Sequence, residues 1–249
     1  MAASPKSRLD LLLVERNLAP SRERARALIL AGRILVNEQK IDKPGASVPS
    51  EAILRLLGDD MPYVSRGGLK LAGALTHWPI EVAGRSCLDV GASTGGFTDC
   101  LLQHGASHVT AIDTGFGQIA HKLRTDSRVT LFERTNARLL EPGSLADPPL
   151  TLLVMDVSFI SATLILGPIF AAAPALREAV LLVKPQFEAG REHVGKGGIV
   201  RDPAAHQLAI DKVAACLREL GWSVVETISS PITGAEGNQE FLLYARHPS

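Results

Sequence analysis

The sequence predicts an α/β fold, a doubly wound sheet with helices on both faces, preceded by a small α+β unit. Three features lead to that expectation. From Cys87 onward, short apolar runs of strand length alternate with stretches of helical spacing. A glycine-rich strand-to-helix turn, Leu88-Asp89-Val90-Gly91-Ala92-Ser93-Thr94-Gly95-Gly96-Phe97, follows the first of these runs. Residues 1–58 differ in charge, with 10 basic and 6 acidic residues against 16 and 20 in the rest of the chain.

In the first unit, Arg8 to Val14 has helical spacing, Ser21 is placed as the N-cap of a helix running through Arg24 to Leu30, and Gly32 closes it. Ile34-Leu35-Val36 reads as a strand, Asn37-Glu38 as a turn, and Val48 opens another short strand after Pro44-Gly45. Gly58-Asp59-Asp60-Met61-Pro62 marks a boundary, giving a unit over 6–58, a linker over 59–66 and a larger domain over 67–249. In that domain Cys87–Val90, Val109–Ile112, Val129–Glu133, Leu150–Met155, Ala179–Val183, Trp222–Ile228 and Glu240–Ala245 read as strands. Gly95–Gln103 and Pro203–Leu220 read as helices, the latter amphipathic.

With 249 residues, 46% hydrophobic, the chain can bury a full core, and its 26 basic and 26 acidic residues balance. Cys87, Cys100 and Cys216 are widely spaced among apolar residues, as expected of buried thiols in a reducing compartment, and the histidines lack metal-ligand spacing, so no metal is expected. The N-terminus lacks a secretory pattern, which points to the cytoplasm. Val157 to Leu176 is uncharged and about as long as a bilayer-spanning helix, but Pro168, Pro174 and several polar residues suit a loop and a buried helix, so no membrane association is expected.

In a doubly wound sheet ligands lie beyond the carboxyl ends of the strands, where Asp89, Gly91, Asp113, Asn136, Asp156 and Lys184 all fall. Glycines after a strand let backbone pass close to a ligand, but a βαβ unit needs a tight turn there in any case. Asp113 has the position of an acid that bonds a ribose diol; the plainer reading is a turn or N-cap aspartate. NAD is the competing cofactor, but the turn offers Gly91, Gly95 and Gly96 in place of G-x-G-x-x-G. S-adenosylmethionine, which has no pyrophosphate to cradle, fits better. Ser93 and Thr94 serve either that ligand or as caps of the following helix, and Asn136 is a candidate for the adenine.

Two resemblances sharpen this. Arg8 to Asp10, Leu12, Leu13, Ser21, Arg22, Ala25, Leu28, Ile29, Gly32, Val36, Asn37, Lys43 and Pro44 carry a pattern that resembles the S-four-type RNA-binding domain. That implies RNA contacts from Arg8, Arg22, Arg24, Arg26, Arg33 and Lys43, made through phosphates and shape. Ser65 to Leu71, Asp89 to Asp99, Met155 to Ser161, Val183 to Glu188 and Gly237 to Phe241 resemble the FtsJ-type ribose methyltransferases, and the two-domain order is similar to the TlyA family. The resemblance implies a Rossmann-like class I methyltransferase sheet and a Lys70, Asp156, Lys184, Glu240 catalytic set. It implies S-adenosylmethionine held by Asp89, Gly91, Ser93, Thr94, Gly95, Gly96, Phe97, Asp113, Asn136 and Asp156. The implied reaction is methyl transfer to a cytidine ribose 2′-hydroxyl in ribosomal RNA or ribosomal subunits; likeness to the shorter members implies large-subunit RNA.

A sulfonium methyl is already electrophilic, so such an enzyme must mainly align a weakly acidic hydroxyl and help its proton leave. A free lysine titrates at about 10.4 and needs desolvation or a neighbouring cation to act as a base. Lys70 beside Lys184 is expected to supply that cation, with Asp156 and Glu240 orienting the group, so Lys184 is base or hydroxyl-steering residue. Taken singly, a lysine after a buried strand reads as a snorkelling end and Glu240 as an edge-strand surface charge. Arg66, Lys196 and Arg201 are further RNA-contact candidates, the last two on a glycine-rich loop that reads equally as plain surface. Two alternatives stay open: a noncatalytic RNA-binding assembly factor, which would leave the four-residue set idle, and a membrane-active protein, a label that hemolysin-named members of the family carry.

Overall fold

The computed structural model describes residues 5–16, 18–57, 61–234 and 236–248; Asp59 and Asp60 of the expected linker lie outside them. The chain divides into two compact units, Met1–Met61 and Pro62–Ser249.

The first unit runs β1 (Lys6–Arg8), α1 (Leu9–Glu15), α2 (Arg22–Leu30), β2 (Ile34–Val36), β3 (Gln39–Lys40), β4 (Ser47–Pro49) and β5 (Leu54–Leu56). Ser21 caps α2 as expected, its Oγ accepting from the Arg24 N–H at 3.2 Å. Asn37 and Glu38 both take positive φ, 49° and 64°, in the tight turn joining β2 to β3. Leu9, Leu13, Leu28, Ile29 and Ile34 form its core. The short strands β1, β3 and β5 were not expected: each is two or three residues long and is defined by its pairing partner rather than by its own pattern.

The second unit contains α3 (Gly67–His77), β6 (Ser86–Val90), α4 (Gly96–Gln103), β7 (His108–Ile112), α5 (His121–Arg124), β8 (Val129–Phe132), β9 (Leu152–Met155), α6 (Leu166–Ala172), β10 (Glu178–Val183), α7 (Pro185–Glu188), α8 (Pro203–Glu219), β11 (Ser223–Ser229) and β12 (Phe241–Arg246). Its sheet has the order β11-β12-β10-β9-β6-β7-β8, with β12 antiparallel to both neighbours and the strands from β10 to β8 parallel. Alternate residues feed opposite faces. Leu152, Val154, Val180 and Leu182 pack with α3 and α4, while Leu153, Met155, Leu181 and Val183 pack with α6 and α8. Burial on both faces is why these strands read as continuous apolar runs.

The uncharged stretch from Val157 becomes a loop, a 3₁₀ turn and the seven-residue α6, buried in the core. No described helix is long and apolar enough to cross a membrane.

Candidate active site

The strand order reverses between β6 and β9, so the chain leaves the two strands in different directions and opens a crevice at their carboxyl ends. Val90 pairs with both Ile112 and Met155, and Met155 with Leu181, which places Gly91, Asp113, Asp156 and Lys184 along one edge. The antiparallel partner completes the set: Val183 pairs with Phe241, so Glu240 enters the sheet where Lys184 leaves it. Lys70 comes from α3, with Leu71 and Ala74 anchoring that helix in the core.

The four side chains meet. Lys184 Nζ lies 2.7 Å from Asp156 Oδ1, and Lys70 Nζ lies 3.7 Å from Asp156 Oδ2 and 2.6 Å from Glu240 Oε2. The Lys70–Glu240 contact is a close ion pair, but Glu240 Oε2 has no aligned hydrogen bond. Lys70 and Lys184 are 8% exposed and Glu240 2%, so these charges face one another instead of water. Lys184 Nζ also donates to Ser158 Oγ at 2.7 Å. Lys70 and Lys184 thus share one carboxylate, Asp156, whose negative charge between them offsets their mutual repulsion.

Two cavities adjoin this cluster. One, of about 450 Å³, is lined by Gly91, Ser93, Asp113, Asn136 and Asp156 among others; the second, of about 260 Å³, by Arg66, Lys70, Thr94, Gly96, Phe97 and Lys184. Gly91, Ser93, Asp156 and Ser158 line both. Gly91 is at φ +86°, and a Cβ there would sit 2.3 Å from the Asp156 carbonyl oxygen, so only glycine fits this crossing. Gly95, at φ +93°, packs on Leu123 and Ile119 and lines neither cavity.

Asp89 is fully buried below the turn. Its Oδ2 accepts from Thr98 Oγ1 at 2.6 Å while Oδ1 has no partner, and burial pushes its carboxyl up to about 7. Asp113 accepts from the N–H groups of Ser93 (2.7 Å) and Gly115 (2.6 Å), so it ties the glycine-rich turn to the end of β7 while its side chain lines the larger cavity. Asn136 caps a short 3₁₀ turn through Oδ1, which accepts from the Arg138 N–H at 3.1 Å. Ser93 and Thr94 do not cap α4: the N-cap position is Gly95, at φ +93°, which has no side chain to make a cap hydrogen bond.

The basic candidates separate by unit. Arg8 and Arg22 both pair with buried Asp10, at 3.0 and 2.9 Å, and the Arg8 hydrogen bond holds that carboxyl down at about 2. Arg33 donates to the Leu57 carbonyl, and Arg26 and Lys43 are exposed. In the second unit Arg66 donates to the Thr233 carbonyl at 2.8 Å on the rim of the smaller cavity, whereas exposed Lys196 and Arg201 line neither cavity. Sequence reasoning missed Ser158 and Phe159, although they stand only two and three positions after Asp156. Phe159 is 91% exposed at φ +65°, lies at the cavity rim and has its ring 5.3 Å from that of Phe187.

The FtsJ-like methyltransferase family model matches residues 63–247, and the S4 domain model matches residues 7–54. The chain belongs to the FtsJ-like methyltransferases. Within that family it is 45% identical over 242 residues to the 16S/23S rRNA (cytidine-2′-O)-methyltransferase TlyA of Mycobacterium tuberculosis, covering 97% of this chain and 90% of the relative. It is 40% identical to Hemolysin A of Brachyspira hyodysenteriae, covering 95% and 98%. A solved structure of a hemolysin candidate from Streptococcus thermophilus matches with 41% identity and a TM-score of 0.74, covering 99% and 90%. This FtsJ-like chain therefore carries an S4 domain followed by a methyltransferase domain.

Proposed function

We propose that the protein is an S-adenosylmethionine-dependent methyltransferase that modifies the 2′-hydroxyl of a cytidine ribose in ribosomal RNA, as the name of its Mycobacterium tuberculosis relative states for that protein. The observation that carries the reading is the Lys70, Asp156, Lys184, Glu240 ion-pair cluster, its lysines and glutamate buried and its aspartate opening onto paired cavities. A noncatalytic assembly factor gives no role to two lysines and a glutamate withdrawn from water around an aspartate that faces both cavities, an arrangement that costs desolvation and marks a functional site.

The residues fit this cofactor. Gly91 lets backbone pass where a side chain would collide, the unpartnered Asp89 Oδ1 is an acceptor beneath the turn, and Asp113 and Asn136 offer polar groups to a nucleoside in the larger cavity. When bound, S-adenosylmethionine supplies an activated methyl group. Lys184, already fixed by Asp156 and Ser158, steers the ribose hydroxyl for in-line approach, and Lys70 with Glu240 holds Asp156 in place. A donor engaged with two acceptors suits steering better than proton abstraction, and the hydroxyl proton, released as the oxygen–methyl bond forms and the sulfur–methyl bond breaks, passes to water in the open cavity. Arg66 and the exposed Phe159 offer a phosphate contact and a base-stacking face at the rim, and the basic S4 domain grips structured RNA. The activity belongs in the cytoplasm, with its substrate.

Incubation with methyl-labelled S-adenosylmethionine and unmodified ribosomal RNA or subunits, followed by nucleoside analysis, tests the reading. Label is expected in 2′-O-methylcytidine; label on a base, or none in RNA, would overturn it.

A further inference from the structure

We propose that Glu188 is a positioning residue of this site: its buried carboxylate latches the loop after β9 and thereby sets where Ser158 and Phe159 stand. The inference rests on the methyltransferase reading. Two segments lie against each other along three successive contacts. Lys184 reaches Asp156 and Ser158, Phe187 meets Phe159, and Glu188 meets Ser161 and Ala162. The first contact lies at both cavities and the second at the rim residue Phe159, whereas the residues of the third line neither cavity.

Pro185 explains how one segment faces the other. It occupies the first position of α7, and Lys184 before it is extended at φ −111°, ψ 105°, so the chain turns into a helical turn that carries Phe187 and Glu188 across to the neighbouring loop. Glu188 is 5% exposed. Its carboxylate accepts from Ser161 Oγ at 2.5 Å and from the Ala162 N–H at 2.7 Å; Lys212 of α8 stands 3.5 Å from the carboxylate and donates to the Glu188 carbonyl at 3.0 Å. Burial pushes this carboxyl above its ordinary range against those bonds, a cost that an apolar residue of similar size would not carry.

What the carboxylate holds is the downstream end of residues 157–161, a stretch without regular structure between β9 and the 3₁₀ turn at Ala162–Leu164. The upstream end is fixed by β9. Between those pegs sit Ser158, the acceptor for Lys184, and Phe159, a bulky residue held at positive φ. Such backbone persists only where its surroundings determine it. Ser161 and Ala162 line neither of the two site cavities, so what Glu188 holds through them reaches the site by way of the loop.

The test compares the full-length parent with Glu188→Ala, Glu188→Gln and Ser161→Ala, measuring kcat and KM for RNA per cofactor-binding site, with melting temperatures alongside. Loss of bonds to a buried charged acceptor predicts a fall in kcat of about tenfold to a hundredfold for Glu188→Ala. Glu188→Gln restores part of this, because its amide oxygen still accepts from the Ala162 N–H. Ser161→Ala, which deletes one hydroxyl, is expected to fall about threefold to tenfold, and adding it to Glu188→Ala costs nothing more. Lower melting temperatures with kcat and KM per site at parental values would overturn the proposal. Should Glu188→Ala not fold, Ser161→Ala decides, and parental kinetics in it would also overturn the latch. A parent that transfers no methyl to RNA overturns the methyltransferase reading and the latch with it; a parent that transfers while all variants match it overturns the latch alone.

Discussion

Gly91→Ala isolates the crossing between the two cavities. At φ +86° an alanine pays the left-handed backbone cost of about 1–2 kcal/mol. Its Cβ would also lie 2.3 Å from the Asp156 carbonyl oxygen and 2.9 Å from its carbonyl carbon, both backbone atoms at the end of β9, so β9 and the turn must part by about 1 Å, at roughly 1–3 kcal/mol more. The sum, about 2–5 kcal/mol, corresponds to a melting temperature lower by roughly 5–20 °C for a domain of this size. Asp156 is the residue displaced, and a shift of that size at a reacting centre costs about a hundredfold in rate. Gly84→Ala is the matched control, since Gly84 has φ +74° and nothing within 4 Å of its added Cβ. It is expected to lose only the backbone share, about 1–2 kcal/mol, and to keep parental methyl transfer. Thermal melts and transfer assays on both variants measure the difference. Equal melting temperatures with unimpaired transfer by Gly91→Ala would refute the reasoning.

Asp89 is held up at about 7 chiefly by burial, so the native state binds its proton more tightly than the unfolded chain does. Its contribution to stability is fully present below about pH 4 and lost as pH rises through 7, at most about 4 kcal/mol; urea midpoints should show that slope in the parent and not in Asp89→Asn. In the first unit, Arg26→Ala and Lys43→Ala should each lower the slope of log affinity for RNA against log salt by about 0.7–0.9, read from filter binding, with no change for a residue that does not meet phosphate.

The sheet was legible because its strands are buried on both faces, which leaves runs such as Leu152 to Met155 with no polar residue to obscure them. Pro203 to Glu219 was legible for the opposite reason, its one-sided burial writing a helical period. The antiparallel course of β12 was not legible, since strand direction depends on how the chain returns and not on which residues alternate. At the site, the strand-end rule located Gly91, Asp113, Asp156 and Lys184, and the family resemblance added Lys70 and Glu240, which come from a helix and from the start of an antiparallel strand. Ser158 and Glu188 escaped because their roles arise from contacts made 26 and 27 positions away, between the loop after β9 and the segment of Lys184 and α7 that follows β10, brought together by the pairing of those strands.

The central claim is that Lys184 acts on the ribose hydroxyl and not on cofactor binding. Its most direct test is Lys184→Ala, assayed for S-adenosylmethionine binding by calorimetry and for methyl transfer to unmodified ribosomal RNA under the same conditions. The structure predicts cofactor affinity close to that of the parent, with transfer lower by at least about a hundredfold. Parental transfer by Lys184→Ala, or loss of transfer only in proportion to lost cofactor binding, would contradict it.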